Sequence, residues 1–425
     1  MADTIFALSS GRPPAAVAVI RVSGPAAHSA AQRIAGRLPV SRTAAVRELK
    51  HPATGDLLDE ALVLRFDGPA SATGEDIVEF QCHGGRAVVD AVLSALGGID
   101  GLREAEPGEF TRRAFENGRI DLTEAEGLAD LLEAETESQR KAALALAEGG
   151  LKKQIARWQE TLLGLSAQAE RAIDYDEDDE RLDPALVGGC SKLAAALAEW
   201  LDRPRVELLK DGVRVVIAGP PNAGKSSLIN VIAGSDRSIV TNVPGTTRDH
   251  VDIPMSLGGA PIVLTDTAGL RETADQVEAI GVARSEALLR TADILLWLGN
   301  ASSSPAHPRR LLVHAKADLF DRENVPPDSL PVSSLTGAGL GALLERVGEL
   351  AKSILPAGDA IALNRRQAEL IAQARAALLE ASSTSDLVLL AEGLRAARSA
   401  FDRLTGRAGV EDVLDSLFGR FCLGK

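Results

Sequence analysis

Residues Gly219 to Ser226 read G-P-P-N-A-G-K-S, a complete G-x-x-x-x-G-K-[ST] phosphate loop, directly after the apolar run Val213 to Ala218 and before a helix-forming S-S-L-I-N-V-I-A-G. Strand, glycine loop and helix in that order are the context the motif needs. Successive backbone N–H groups from Asn222 through Ala223, Gly224, Lys225, Ser226 and Ser227 would wrap the α- and β-phosphates, and the helix N-terminus would add positive dipole. Lys225 would reach the β- and γ-phosphates, and the Ser226 hydroxyl would ligate Mg²⁺.

The segments that follow decide which nucleotide. Thr265-Asp266-Thr267-Ala268-Gly269 closes the apolar strand Pro261 to Leu264 with D-x-x-G. Asp266 would hold Mg²⁺ through water, and the Gly269 N–H would sense the γ-phosphate. Gly245-Thr246-Thr247-Arg248-Asp249 stands where a switch loop belongs, with Thr247 closing on Mg²⁺ when GTP is bound. Ala315-Lys316-Ala317-Asp318 follows the strand Leu311 to His314, and Ser333-Ser334-Leu335 follows Leu330 to Val332. Order and spacing are those of the five GTPase motifs. A carboxylate that accepts from both N1–H and the N2 amino group specifies guanine, and Asp318 is the candidate. Ala315 stands where GTPases usually carry Asn, so one hydrogen bond, roughly 0.5 to 1.5 kcal/mol, is missing. Affinity should suffer more than base choice.

A chain of 425 residues suffices for two to four domains. From residue 1 to about 118, short apolar runs (Ala16 to Val22, Ala61 to Phe66, Ile77 to Gln81) and a helix from Arg86 to Leu96 predict an α+β domain. Gly108 to Asp183 contains no proline and repeats leucine and alanine at helical spacing, which predicts long helices, followed past Pro184 by another from Ser191 to Leu201. After Pro356 the helical pattern resumes to the end. The economical organisation is a discontinuous all-α domain, 119–211 and 356–425, with an α/β P-loop GTPase domain, 212–355, inserted between its halves.

The net charge of −14 argues against nucleic-acid binding through counterion release over a broad surface, so any RNA contact must use a local patch or a partner's surface, and no DNA partner is expected. Aromatic residues at 3% disfavour an extended base-stacking platform. Cys82, Cys190 and Cys422 are scattered and odd in number, which predicts neither a disulfide framework nor a zinc site. With no leader-like start and no apolar run of membrane-spanning length, the expectation is a cytoplasmic protein without a membrane partner. The acidic stretch Asp174 to Glu180 lacks the glycine and spacing of an EF-hand loop and reads as a solvated helix end or loop.

Several motifs together resemble the MnmE (TrmE) family of tRNA-modifying GTPases over essentially the full length. They are Ile20-Arg21-Val22-Ser23-Gly24, Thr73-Gly74-Glu75-Asp76 leading to Cys82-His83-Gly84-Gly85, Pro107-Gly108-Glu109-Phe110-Thr111 leading to Asn117-Gly118-Arg119, the inserted GTPase domain, and the terminal Phe421-Cys422-Leu423-Gly424-Lys425. The resemblance implies an amino-terminal domain like tetrahydrofolate-binding domains, which forms a homodimer. It implies a flavoprotein partner, MnmG, in a heterotetramer carrying FAD and using NADH, and a tRNA substrate. The product would be an aminomethyl or carboxymethylaminomethyl group on C5 of the wobble uridine, with methylene-tetrahydrofolate as one-carbon donor. Arg21, Glu79, Arg119 and Lys425 fall at the family's folate positions, which suits a ligand with an amide and amino edge and an anionic tail. Leu270 occupies the place of the water-orienting Gln of Ras-like GTPases, and by resemblance Glu278 is the catalytic residue instead. By the same resemblance Asn222, Thr241, Val243 and Thr246 hold K⁺ in place of an arginine finger, and the switch loop that carries them joins two GTPase domains face to face. Roles for Cys422 and Arg248 stay open.

Two other classes compete. A ribosome-assembly GTPase of the Era-like class would carry a KH domain or a second phosphate loop, and neither pattern occurs. The second is a folate-dependent one-carbon transferase without a tRNA role.

Overall fold

The computed structural model describes residues 3–175, 183–234, 252–266, 288–319, 324–356, 361–409 and 411–425. Contacts divide the chain into two units, Met1–Ala129 with Asp402–Lys425, and Asp130–Phe401.

In the first unit β1 (Thr4–Leu8), β2 (Val17–Ser23), α1 (Ala27–Ala35), β3 (Ala44–Lys50), β4 (Leu57–Phe66), β5 (Ile77–His83), α2 (Arg86–Gly97), β6 (Leu102–Glu104) and α3 (Glu109–Glu116) follow in order, and α4 (Leu122–Glu133) begins there. The sheet runs β3-β4-β5-β2-β1-β6. All neighbours are antiparallel except β1 and β6. Period-two alternation sets its faces. Ala18, Ile20 and Val22 of β2 and Val78, Phe80 and Cys82 of β5 are buried in one core with residues of α1 and α2. Arg21 pairs in register with Glu79 and with Ala7, so the intervening positions place these side chains on the opposite face. There Phe110 of α3 joins Ile5, Ala7 and Ala105 in a small second cluster. The carboxyl-terminal residues Leu414, Leu417, Phe418 and Phe421 pack with Leu122, Ala125 and Ala129 of α4.

The second unit contains α5 (Glu137–Ala147), α6 (Gly150–Tyr175), α7 (Pro184–Leu201), α8 (Glu207–Lys210), β7 (Val213–Ala218), α9 (Lys225–Ala233), β8 (Asp252–Leu257), β9 (Ala260–Asp266), β10 (Ile294–Trp297), β11 (Arg310–Ala315) and β12 (Ser329–Val332), then the helices Leu340–Ile354, Arg365–Ser383 and most of Leu387–Thr405. The sheet order is β12-β11-β10-β7-β9-β8. It is parallel except for β8, so the strand that feeds the phosphate loop lies between β10 and β9, buried on both faces. The helical part has its own aromatic core: Trp158 of α6 meets Trp200 of α7 edge-on at 5.4 Å and stacks on Phe401 at 6.0 Å.

The helix expected from Ser191 begins at Pro184. Asp183 accepts from the Ala185 N–H at 2.8 Å as N-cap, and proline at the first helical position lacks only an N–H that would have had no partner. Pro184 therefore opens α7 and does not precede it as a breaker. No helix among the described residues is long and apolar enough to cross a membrane.

Candidate nucleotide and folate sites

The phosphate loop leaves β7 through Gly219, where a β-carbon would lie 2.7 Å from the Leu298 carbonyl oxygen, a position open only to glycine. Asn222 (φ 61°) and Gly224 (φ 96°) take left-handed backbone, turning successive N–H groups toward one side. Gly224 caps α9 without any side-chain hydrogen bond, so an anion can take the first-turn N–H groups. Lys225 donates to the Gly219 carbonyl at 3.0 Å and the Pro220 carbonyl at 2.9 Å, contacts that a phosphate would replace. Ser226 and Ser227 are exposed in the first turn of α9. Asp266 ends β9, with its backbone in parallel register with Ile217 beside the loop.

The structure gives physical content to the Ala315 departure. Ala315 is buried, its Cβ 3.9 Å from where a side chain on Gly224 would start. Lys316, itself left-handed at φ 60°, donates from Nζ to the Asn222 carbonyl at 3.0 Å. One tie between base loop and phosphate loop therefore persists, from the neighbouring residue. Asp318 is exposed, and its carboxylate makes no hydrogen bond among the described residues. The Ala317 N–H donates to the Val332 carbonyl at 3.2 Å and links this loop to the next. There the buried Ser333 hydroxyl accepts from the N–H groups of Leu335 (3.2 Å) and Thr336 (3.1 Å), while Leu335 is exposed and Ser334 half-buried. Thr241, Val243, Thr246, Thr247, Arg248, Thr267, Ala268, Gly269 and Glu278 lie outside the described residues.

In the first unit Arg21 and Glu79 meet across β2 and β5: Nε and Nη2 of the arginine both reach Glu79 Oε1, at 2.9 and 2.8 Å. The guanidinium carbon lies 5.6 Å from the Phe110 ring centroid. Arg119 is exposed and donates from Nε to the Ser71 carbonyl at 3.1 Å, on the loop between β4 and β5. Gly74 (φ 83°) lets that loop approach, since a β-carbon there would lie 2.8 Å from Asn117 Cβ and 3.3 Å from Arg119 Cγ. Gly424 (φ 87°) is seated against β1, where a β-carbon would fall 2.2 Å from the Leu8 carbonyl oxygen, and this fixes the half-buried Lys425 beside the end of the strand whose Ala7 pairs with Arg21. Of the four residues only Arg21 and Glu79 touch one another. Cys422 is exposed, whereas burial, with the Asp59 carboxylate adding to it, pushes the Cys82 thiol up to about 12.

Sequence reasoning missed the ionic core that holds α3 in place. Arg113 donates to the Asp3 carboxylate at 2.7 Å, to Glu109 at 2.9 Å and to Glu75 at 3.2 Å, and Glu75 also accepts from the Ser23 hydroxyl at 2.8 Å. The visible signal was the i, i+4 spacing of Glu109 and Arg113. Burial alone would raise the Glu109 carboxyl, but hydrogen bonds from Arg103, the Glu106 N–H and Arg113 together hold it below the usual range. His28 was missed as well: its ring faces Asp76 at 3.3 Å and Asp67 at 3.5 Å, at the two ends of the loop that carries Ser71 and Gly74.

Comparison with known proteins agrees with this anatomy. Residues 4–119 match the family model for the GTP-binding protein TrmE N-terminus, and residues 122–422 match that for the MnmE helical domain. A protein of Erythrobacter litoralis named tRNA modification GTPase MnmE is 52% identical over 426 residues, covering 100% of both chains. Proteins of the same name from Novosphingobium aromaticivorans (48% identical, 100% of both chains) and Rhizorhabdus wittichii (51% identical, 100% of this chain and 97% of that one) match as fully. Among solved structures, the G domain of the T. maritima FeoB iron transporter is 25% identical over 33% of this chain and 98% of its own, with a TM-score of 0.24, which adds nothing to the assignment. End-to-end matches to relatives of one name set aside the Era-like reading. The chain belongs to the MnmE (TrmE) family of tRNA modification GTPases and is a GTP hydrolase.

Proposed function

We propose that this chain acts as a homodimer in the cytoplasm with the flavoprotein MnmG. Together they install an aminomethyl or carboxymethylaminomethyl group at C5 of the wobble uridine of certain tRNAs, with methylene-tetrahydrofolate as one-carbon donor and FAD and NADH serving the partner. The observation that carries this reading is the combination, in one chain, of a phosphate loop at the head of a parallel sheet and a separate Arg21–Glu79 pair on the face of an α+β sheet that meets α3. The pair suits a pterin edge: Glu79 Oε2 and Arg21 Nη1 make no hydrogen bond among the described residues, leaving an acceptor and a donor side by side.

For hydrolysis, the N–H groups of residues 222–227 and Lys225 would bind the phosphates, Ser226 and Thr247 the Mg²⁺, and Asp318 the guanine. Asn222 gives its backbone carbonyl to Lys316, and its side-chain amide is unbonded among the described residues, which suits it to hold a cation together with Thr241, Val243 and Thr246. A K⁺ ion held there would supply positive charge where negative charge builds in the transition state. Glu278 would orient the attacking water through a second water, and its loss should lower the rate by roughly 10² to 10⁴.

Hydrolysis should run much faster in K⁺ than in Na⁺ at equal ionic strength, and Asn222→Ala should abolish that difference. Mass spectrometry of wobble uridines in cells lacking the protein tests the rest. The expected result is loss of the modified base, unrestored by Glu278→Ala. Unaltered uridines in the null strain would reject the tRNA role, and full restoration by a hydrolysis-dead Glu278→Ala would separate GTP turnover from modification.

A further inference from the structure

We infer that Phe110 is a positioning residue of the folate site, an aromatic seat that sets the direction in which the Arg21–Glu79 pair faces its ligand. The inference rests on the folate reading proposed above. Arg21 makes one hydrogen bond to Glu79, from Nε to Oε1 at 2.9 Å, and its Nη2 lies 2.8 Å from that same oxygen. A fork closed on one oxygen leaves the carboxylate free to swivel about that contact, unlike a fork–fork pair in which two parallel bonds fix both planes. The ion pair alone therefore does not determine where Glu79 Oε2 and Arg21 Nη1 point.

The missing constraint comes from α3. Phe110 is 3% exposed and is held by Ile5, Ala7 and Ala105, and its ring centroid lies 5.6 Å from the Arg21 guanidinium carbon, within the roughly 6 Å reach of a cation–π contact. The Arg21 side chain is 23% exposed and that of Glu79 17%, so the contact is made in a partly desolvated place where it weighs more than on an open surface. Phe110 in turn cannot drift, because its helix is pinned through Arg113 to Asp3, Glu75 and Glu109. The seat thus connects α3 to the side chains that would read the pterin edge, without touching the ligand itself.

The test is calorimetric titration of the full-length protein with tetrahydrofolate under anaerobic conditions. Phe110→Leu should weaken binding roughly three- to thirtyfold, the span expected for losing a partly desolvated cation–π contact. Because leucine also alters packing, a second series replaces Phe110 by mono- and trifluorinated phenylalanine, which drain the negative face of the ring at nearly constant volume. Affinity should fall stepwise with fluorine number. If the fluorinated proteins bind as the wild type does, Phe110 only fills space and the inference fails while the folate site stands. If the wild-type protein itself does not bind tetrahydrofolate, the reading of the pocket fails and this inference falls with it.

Discussion

Asp318 offers an exposed carboxylate with no hydrogen bond among the described residues, and if it reads guanine as proposed, one atom exchange should invert base recognition. Asp318→Asn presents an N–H₂ where guanine N1–H and the N2 amino group need acceptors, and preference should move from GTP to xanthosine triphosphate. Competitive binding of the two nucleotides measures it, and unchanged GTP affinity would show that Asp318 does not read the base. Ala315→Asn is subtler. Residue 315 faces the phosphate loop closely, and Lys316 already supplies one tie at 3.0 Å, so a restored amide should tighten guanine nucleotide binding by at most about tenfold, one hydrogen bond's worth. The cysteines separate by the same local logic. Cys82 and Cys190 are buried, and desolvation raises both thiols, that of Cys82, helped by Asp59, to about 12, whereas Cys422 is exposed. At pH 8 a thiol reagent should label one site rapidly on the native protein, and Cys422→Ser should abolish that phase. A second fast phase would mean that the core around Cys82 or around Cys190 opens locally.

At the scale of elements, α3 is held by charge as well as by the apolar packing of Phe110 and Phe115. Glu109 and Asp3 both titrate below their usual values in the fold, Asp3 chiefly through its hydrogen bond from Arg103. A carboxyl whose folded pKa is depressed takes up its proton first in the unfolded chain as pH falls. Its stabilisation is therefore complete above the ordinary carboxylate range, near 4.5 for Glu109, and is lost as pH drops below that toward the depressed value. Thermal melts of the full chain should show a fall in stability below about pH 4.5 that is shallower in Glu109→Gln. An identical acid slope in the two proteins would remove Glu109 from the linkage. This ionic core also marks what the sequence concealed. Strands β2, β4, β5, β7, β9, β11 and β12 were legible because apolar residues alternate or run continuously, and the phosphate loop because glycine and lysine spacing has one geometric use, whereas β1, β3, β6, β8 and β10 were not read from the sequence. By contrast, Asp3, Glu75 and Arg113 are far apart in sequence and carry no period, so their meeting became visible only once β1, the β4–β5 loop and α3 were placed. The start of α7 was hidden for another reason: Pro184 reads equally as a stop and as a first helical residue, and only the Asp183 cap decides between them.

At the scale of the whole molecule, the nucleotide sheet does not end where its motifs end. Val206 and Leu209, before β7, are buried in the same core as Val215, Ile217, Leu257 and Ile262, and Ala362 joins that core from the far side of the last sheet helix. Hydrogen bonds stitch the junction: the Val206 N–H donates to the Leu363 carbonyl at 3.2 Å, Gln139 Nε2 to the Leu209 carbonyl at 2.8 Å, and the Ser138 N–H to the Gly259 carbonyl at 3.1 Å. A fragment cut at 212 and 355 thus loses apolar cover from its own sheet, while one running from 203 to 363 keeps Val206, Leu209 and Ala362. Returning the first two side chains to the core should stabilise the longer fragment by about 3 to 6 kcal/mol, an upper estimate from burial of two aliphatic groups. For a domain of this size that corresponds to a midpoint higher by on the order of 10 °C. Calorimetry of both fragments with the same guanine nucleotide decides the matter. Equal midpoints would show that α8 merely rests on the sheet. A higher midpoint for the longer fragment would mean that the segments flanking the nucleotide sheet are part of its core, so that a movement of its strands is felt directly at α8 and residue 362.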